Sequence, residues 1–279
     1  MASLRPFLPA HLERAIASGE APARLPSAHR LEAALLFSDI SGFTALTESL
    51  QARGKEGAEE VSDIIRASFR PAIEAINAFD GSILNFGGDA LFVLFPGAGA
   101  VARAYGAAQR VADHFRDHGE VATSVGTARL RISQAIHHGR VAALHLGQPD
   151  RRQYLVCGAP VRALARLEAR ASGKLLLSRA ARARFEDPVR AVPAGEIREA
   201  LFSELAPYVA PHVRAAVDHF EGEFRRAAIV FFETRDLRCV LSSDSCSPST
   251  TCSTATTGSW SAPISRARGP SGCARSGRR

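Results

Sequence analysis

Cysteine is scarce where a fold could use it. Of the five in the chain, only Cys157 precedes residue 237; Cys239, Cys246, Cys252 and Cys273 follow it, with neither Cys-x-x-Cys spacing nor histidines nearby. That distribution excludes a disulfide framework and a structural zinc site. No apolar run approaches the roughly 20 residues that cross a bilayer. The opening "MASLRPFLPAHLERAI" lacks the basic start and apolar core of a secretory leader. A soluble, cytoplasmic protein without a membrane span is expected. No repeat of 20 to 50 residues is present either.

The net charge of +7 is also less than it looks. Six arginines (Arg238, Arg266, Arg268, Arg275, Arg278, Arg279) against Asp244 place +5 beyond residue 236, leaving +2 on the first 236 residues. That is too little for a nucleic-acid footprint. What is there is a chain of 279 residues, 46% hydrophobic and 23% charged, enough for one large domain or a medium domain with an appendage.

A helical lead-in is followed by "ARLPSAHR", which reads as a loop, and by the strand "EAALLFSD". Apolar residues recur at helical spacing from Val61 to Ile76, and Asp80 and Gly81 end that run. "SILNF" and "ALFVLF", separated by Gly87, Gly88 and Asp89, read as a hairpin. A second long helix is expected over 98–119, strands at 128–139, 140–147 and 152–158, a helix over 160–172 and a strand at 173–178. The order predicts an α+β sandwich with helices packed on a mainly antiparallel sheet. Beyond residue 237 the sequence is rich in Ser, Thr, Pro, Gly and Arg without apolar periodicity, and disorder is expected there.

Chemistry concentrates at two acids. Asp39 ends the first strand and Asp89 sits at the hairpin tip. In such a sandwich those elements can lie side by side, and two carboxylates sharing a site repel unless cations neutralise them. A pair of hard divalent ions does so in nucleotidyl-transfer sites. The turn at Ser41 and Gly42 into a helix near Phe43 offers backbone N–H groups to phosphate oxygens. The plainer reading is that Asp39 caps a helix and Asp89 serves a turn.

"FSDISGFTALTE", "NFGGDALFVLF", "AIHHGRV", "YLVCGAPV" and "LARLEARASG" resemble, in this order, the motifs of class III nucleotidyl cyclase catalytic domains, the family of adenylate and guanylate cyclases. The resemblance spans about residues 31 to 185. It implies a ferredoxin-like, palm-type cyclase sandwich and two Mg2+ or Mn2+ ions held by Asp39, Asp89 and the carbonyl of Ile40. It also implies nucleotide contacts from Ile40, Ser41, Gly42, Phe43, Thr44 and Gly88, and a catalytic role for Arg166. ATP would become cyclic AMP and pyrophosphate, with GTP as the other candidate substrate.

Three positions depart from the family pattern. Asn85 stands where a base-reading lysine is usual, Leu155 where an Asp or Thr is usual, and Arg162 where a transition-state asparagine is usual. Family sites form between two domains, and this chain resembles the metal-donating half of tandem soluble-type enzymes, in need of a complementary cyclase domain. The expected organisation is a lead-in over 1–30, a cyclase domain over 31–190, a helical connector over 191–222, the start of a truncated second domain over 223–237 and a disordered tail over 238–279. In "EFRRAAIVFFETRDL" Glu233 stands near the second domain's metal position, and the switch after it resembles out-of-frame translation.

The competing reading is a non-catalytic regulatory cyclase-like module that binds nucleotide or a partner. A diguanylate cyclase would carry Glu-Phe after the Gly-Gly-Asp, where this chain has Ala90 and Leu91. His137 and His138 read as a strand-end turn before Gly139 rather than as metal ligands. Cys157 reads as a small core residue rather than a nucleophile. Arg166 has two readings, a solvated helix residue and a phosphate ligand.

Overall fold

The computed structural model describes residues 4–186 and 202–216. The expected second-domain start with Glu233, and the tail beyond residue 237, lie outside the described residues, as does part of the connector.

The order of elements is α1 (Ala10–Ala17), β1 (Ser27–Ser41), α2 (Phe43–Gln51), α3 (Lys55–Ala78), β2 (Ser82–Gly87), β3 (Ala90–Pro96) and α4 (Ala100–His118). There follow β4 (Glu120–Thr123), β5 (Gly126–Arg129), β6 (Arg131–Gln148), β7 (Arg151–Cys157), α5 (Ala159–Glu168), β8 (Leu175–Leu177), α6 (Arg179–Arg182), α7 (Phe202–Leu205) and α8 (Pro211–Ala216). Five strands run antiparallel in the order β2-β3-β1-β6-β7, and β8 adds to β6 in parallel. This is the mainly antiparallel α+β sandwich that the sequence predicts.

β1 is central because its sequence leaves neither face polar. Ala33, Ala34, Leu35 and Leu36 are all fully buried. Ala34, Leu36 and Ile40 join the core beneath α2, α3 and α4, whereas Ala33 and Leu35 join a second cluster with Leu164 and Leu167 of α5. Each fully buried Leu or Phe contributes about 1.5–3 kcal/mol. That sum holds α3 as one helix through Pro71, where an interior proline costs about 3 kcal/mol.

The structure corrects several boundaries. β1 starts at Ser27, so the stretch read as a loop ends earlier than expected. The two strands expected over 128–139 and 140–147 are one continuous β6, because β1 is long enough to pair with it from Ser27 opposite His145 to Ser41 opposite Arg131. His137 and His138 therefore lie mid-strand opposite Leu35 and Ala34, not in a turn. Residues 120–129 form a separate ribbon, β4–β5, whose short and half-exposed strands carry no apolar alternation to reveal them. The helix expected to 172 ends at Glu168.

α1 docks onto the sheet through polar anchors. His11 accepts or donates between its Nδ1 and Ser82 Oγ (2.8 Å) and between its Nε2 and Tyr154 OH (2.6 Å), and its backbone N–H donates to Ser82 Oγ at 2.7 Å. Arg14 pairs with Asp80 at 2.6 Å. Leu4, Leu12 and Ile16 bury themselves against Leu205, Ala206 and Val209, so the two segments flanking the sandwich pack on each other. Among the described residues no helix is long and apolar enough to cross a membrane.

Candidate active site

Near its end β1 still alternates between the two faces of the sheet. Ile40 is buried under the α3 and α4 face, and the pleat turns the half-buried Asp39 to the opposite face, in the row of Ala33, Leu35 and Phe37. At Gly42 the chain adopts φ 95°, and a Cβ there would stand 3.0 Å from the carbonyl oxygen of Arg129, so only glycine fits this turn. Phe43 then drops its ring into the core and fixes the start of α2. Of the expected nucleotide contacts, Ile40 and Phe43 thus have only backbone to offer. α2 begins without a side-chain cap and with no acid in its first turn, which leaves its first N–H groups and positive dipole end to an external anion.

The hairpin of β2 and β3 brings the second acid. Gly88 takes φ 71° at its tip, the conformation a short turn needs. The backbone N–H of Ile40 donates to the Asp89 carbonyl at 3.1 Å. Thr44 Oγ1 donates to the Asp89 carboxylate at 3.3 Å. Asp39 lies directly opposite Ala90. The two aspartates are therefore neighbours across one strand pair. Burial, and secondarily the charge of Asp89, pushes the Asp39 carboxyl above the ordinary range.

Burial raises Glu168 as well, with Asp39 as the further cause. Among the described residues no Lys or Arg forms an ion pair with Asp39 or Asp89. Two mutually repelling carboxylates without a protein cation are a donor set that fits hard divalent ions. No group of three or more His, Cys, Asp or Glu is arranged to hold a metal among the described residues. A cation here would complete its shell with carbonyl, phosphate or water oxygens.

Two cations escaped the sequence reading. Arg131 is the residue opposite Ser41, two positions from Ser133 opposite Asp39, and so shares their face of the sheet. Arg129 meets the Gly42 turn through its backbone. Both side chains are exposed and have no partner among the described residues. Only the long register of β1 with β6 could have pointed to them.

The remaining expected residues are not gathered here. Arg166 and Arg162 stand exposed on α5, and no contact ties Arg166 to either aspartate among the described residues. Asn85 is exposed opposite Phe92 on β2, and Leu155 is 47% exposed on β7. Burial lowers His137, with His138 adding to it, and its buried Nδ1 has no hydrogen-bond partner. Cys157 is a free, half-buried thiol whose pKa burial raises, the opposite of what a nucleophile requires.

No family model matches the chain. Adenylate cyclase type 10 of Oryctolagus cuniculus is 38% identical over 88 residues, 31% of this chain and 6% of that protein. Adenylate cyclase 1 of Rhizobium meliloti (strain 1021) is 28% identical over 197 residues, 68% of this chain and 28% of that protein. The crystal structure of the guanylyl cyclase Cya2 superposes with a TM-score of 0.51 at 26% identity, covering 60% of this chain and 84% of that one. The fold is that of a class III nucleotidyl cyclase catalytic domain. β1 runs two residues past Asp39, to Ser41, so Asp39 lies inside the strand rather than ending it as expected, and Asp89 is at the hairpin tip. The chain spans 28% or less of the length of these curated cyclases.

Proposed function

We propose that the chain supplies the metal-holding half of an adenylyl cyclase site, in which ATP becomes cyclic AMP and pyrophosphate. The observation that carries this reading is the pairing of Asp39 with Asp89, locked by the Ile40 to Asp89 backbone hydrogen bond beside the uncapped start of α2. Asp39, Asp89 and the Ile40 carbonyl would hold Mg2+ or Mn2+. Two such ions, when bound, lower the pKa of the ribose 3′-hydroxyl and offset the charge of the departing pyrophosphate.

The chain's own groups do the positioning. The N–H groups of Gly42, Phe43 and Thr44, with the Ser41 hydroxyl, cradle phosphate oxygens. Gly88 lets the triphosphate approach the hairpin, and Arg131 and Arg129 face its negative charge. The 3′-oxygen attacks the α-phosphorus, the bond to the β-phosphate oxygen breaks, and the hydroxyl proton leaves to solvent. Asn85, Leu155 and Arg162 leave this half without groups to read the base. A complementary cyclase domain would bring them, and Arg166, exposed on α5, is the group this half would offer to that assembly. The curated relatives named above are both adenylate cyclases, which favours ATP; GTP is the second candidate.

The test is purified chain with Mn2+ and ATP or GTP, alone and mixed with a complementary domain carrying the missing Lys, Asp or Thr, and Asn. Little or no cyclic AMP is expected from the chain alone, and turnover from the mixture. Robust turnover by the chain alone would overturn the half-site. The exposed Leu155 favours a second reading, the non-catalytic nucleotide-binding module, which becomes the better account if Mn2+-ATP binds but no partner restores turnover.

A further inference from the structure

Three segments line an open cavity of about 660 Å3, a size that suits small-molecule sites. Leu84 and Tyr154 of the sheet form its floor. Leu8 and Leu12 of the lead-in line one side, and residues 207–212 line the other. Tyr154 lies opposite His145, which pairs with Ser27 at the start of β1, whereas Leu84 lies beside Phe92 and Val93 of β3, which pair with Phe37 and Leu36. Its lining includes neither Asp39 nor Asp89 and none of residues 40–44.

Its polar lining holds cationic and neutral groups. Arg151, Arg152, Gln153, His212 and two tyrosine hydroxyls line it, and among the described residues no aspartate or glutamate does. Part of this set is already fixed. Tyr154 OH is held by His11 at 2.6 Å, and Tyr208 OH by His145 at 3.0 Å. Arg152 donates to the Pro22 carbonyl at 3.2 Å and lies over the Tyr208 ring at 5.6 Å. Arg151 and His212 are exposed and have no partner among the described residues. A cavity that joins apolar side chains to an uncommitted guanidinium, with no acid among its described lining residues, selects a particular chemistry. A cationic ligand would be repelled, and a neutral one would leave Arg151 partly desolvated and unpaired.

We propose that this cavity binds a small organic anion, a carboxylate on an aryl or alkyl body, with its charge at Arg151 and His212 and its apolar part on Leu8, Leu12 and Leu84. Because the ligand touches the lead-in, the sheet and the 207–212 segment at once, its binding stabilises their packing.

The experiment titrates the full chain with 1-naphthoate by calorimetry and thermal shift, with 1-naphthylmethanol and 1-naphthylmethylamine as neutral and cationic counterparts. The carboxylate is expected to bind one per chain and raise Tm, and the amine to do neither. Arg151→Glu and His212→Glu, both at exposed positions, should keep the ligand-free Tm yet weaken naphthoate by about tenfold or more, the loss of one charge-assisted contact. Asp39→Asn should leave the affinity unchanged, which keeps this site distinguishable from the cyclase site. The proposal is overturned if naphthoate fails to bind at millimolar concentration, binds no better than the alcohol, or binds Arg151→Glu as well as the parent.

Discussion

Asp39 is held where its charge is unwelcome in the metal-free chain. Burial first, and Asp89 second, raise its pKa above the ordinary carboxylate value. A folded state with the higher pKa takes up protons that the unfolded state has already released. The favourable contribution is therefore present at low pH and lost as pH rises through the folded pKa. At neutral pH Asp39→Asn should raise Tm in the absence of metal and abolish any further rise with Mn2+. Turnover of the reconstituted pair should fall about 100-fold or more, the scale of removing several kcal/mol of metal-borne stabilisation. Differential scanning fluorimetry with and without Mn2+ checks the first part. A drop in metal-free Tm would mean that Asp39 is stabilised by a partner rather than opposed by Asp89. Both aspartates were legible in the sequence because each interrupts a local pattern, an apolar strand in one case and a glycine hairpin in the other. Glu168 and Arg131 were not, since their places beside Asp39 and Ser41 depend on packing and register between distant parts of the chain.

Among the elements, α1 has the most exposed chemistry to acid. His11 is pushed down to about 3 by burial and then by Arg14, and His145 to about 4 by burial and then by His29. Both stay neutral in the folded chain at pH values where an unfolded histidine, near 6.5, takes a proton. Their contribution is complete above about pH 6.5 and is lost as pH falls toward 4 and then 3. The urea midpoint should fall between pH 7 and pH 5, and the drop should be smaller in His11→Gln, which removes one titrating group but keeps polar atoms facing Ser82 and Tyr154. An equal drop in that variant would show that the acid response lies elsewhere. The elements with strong patterns, α3, α4, β1 and the β2–β3 hairpin, were legible from periodicity and turn residues. The union of two expected strands into β6 was not, because Gly139 reads locally as a stop, whereas β1 pairs straight through it. Nor could spacing reveal that α1 joins Ser82 at the start of β2 to Tyr154 on β7, a contact between residues far apart in the chain.

At the scale of the whole molecule, the two carboxylates have unequal foundations. Asp39 rides on the central strand, hydrogen-bonded on both sides and rooted in four fully buried residues. Asp89 sits at the tip of a hairpin whose outer strand, β2, is an edge with exposed Asn85, Phe86 and Gly87 leading to the exposed Gly88 of the turn. Amide hydrogen exchange should register that difference. Amides of residues 33–37 on β1 should exchange only with global opening, while those of residues 86–90 should exchange through local fraying of the tip. Addition of Mn2+ with a non-hydrolysable ATP analogue should then slow exchange at residues 86–90 far more than at 33–37. The consequence is one of tempo: the central strand sets where a cation can sit, and the opening rate of the hairpin tip sets how long it stays.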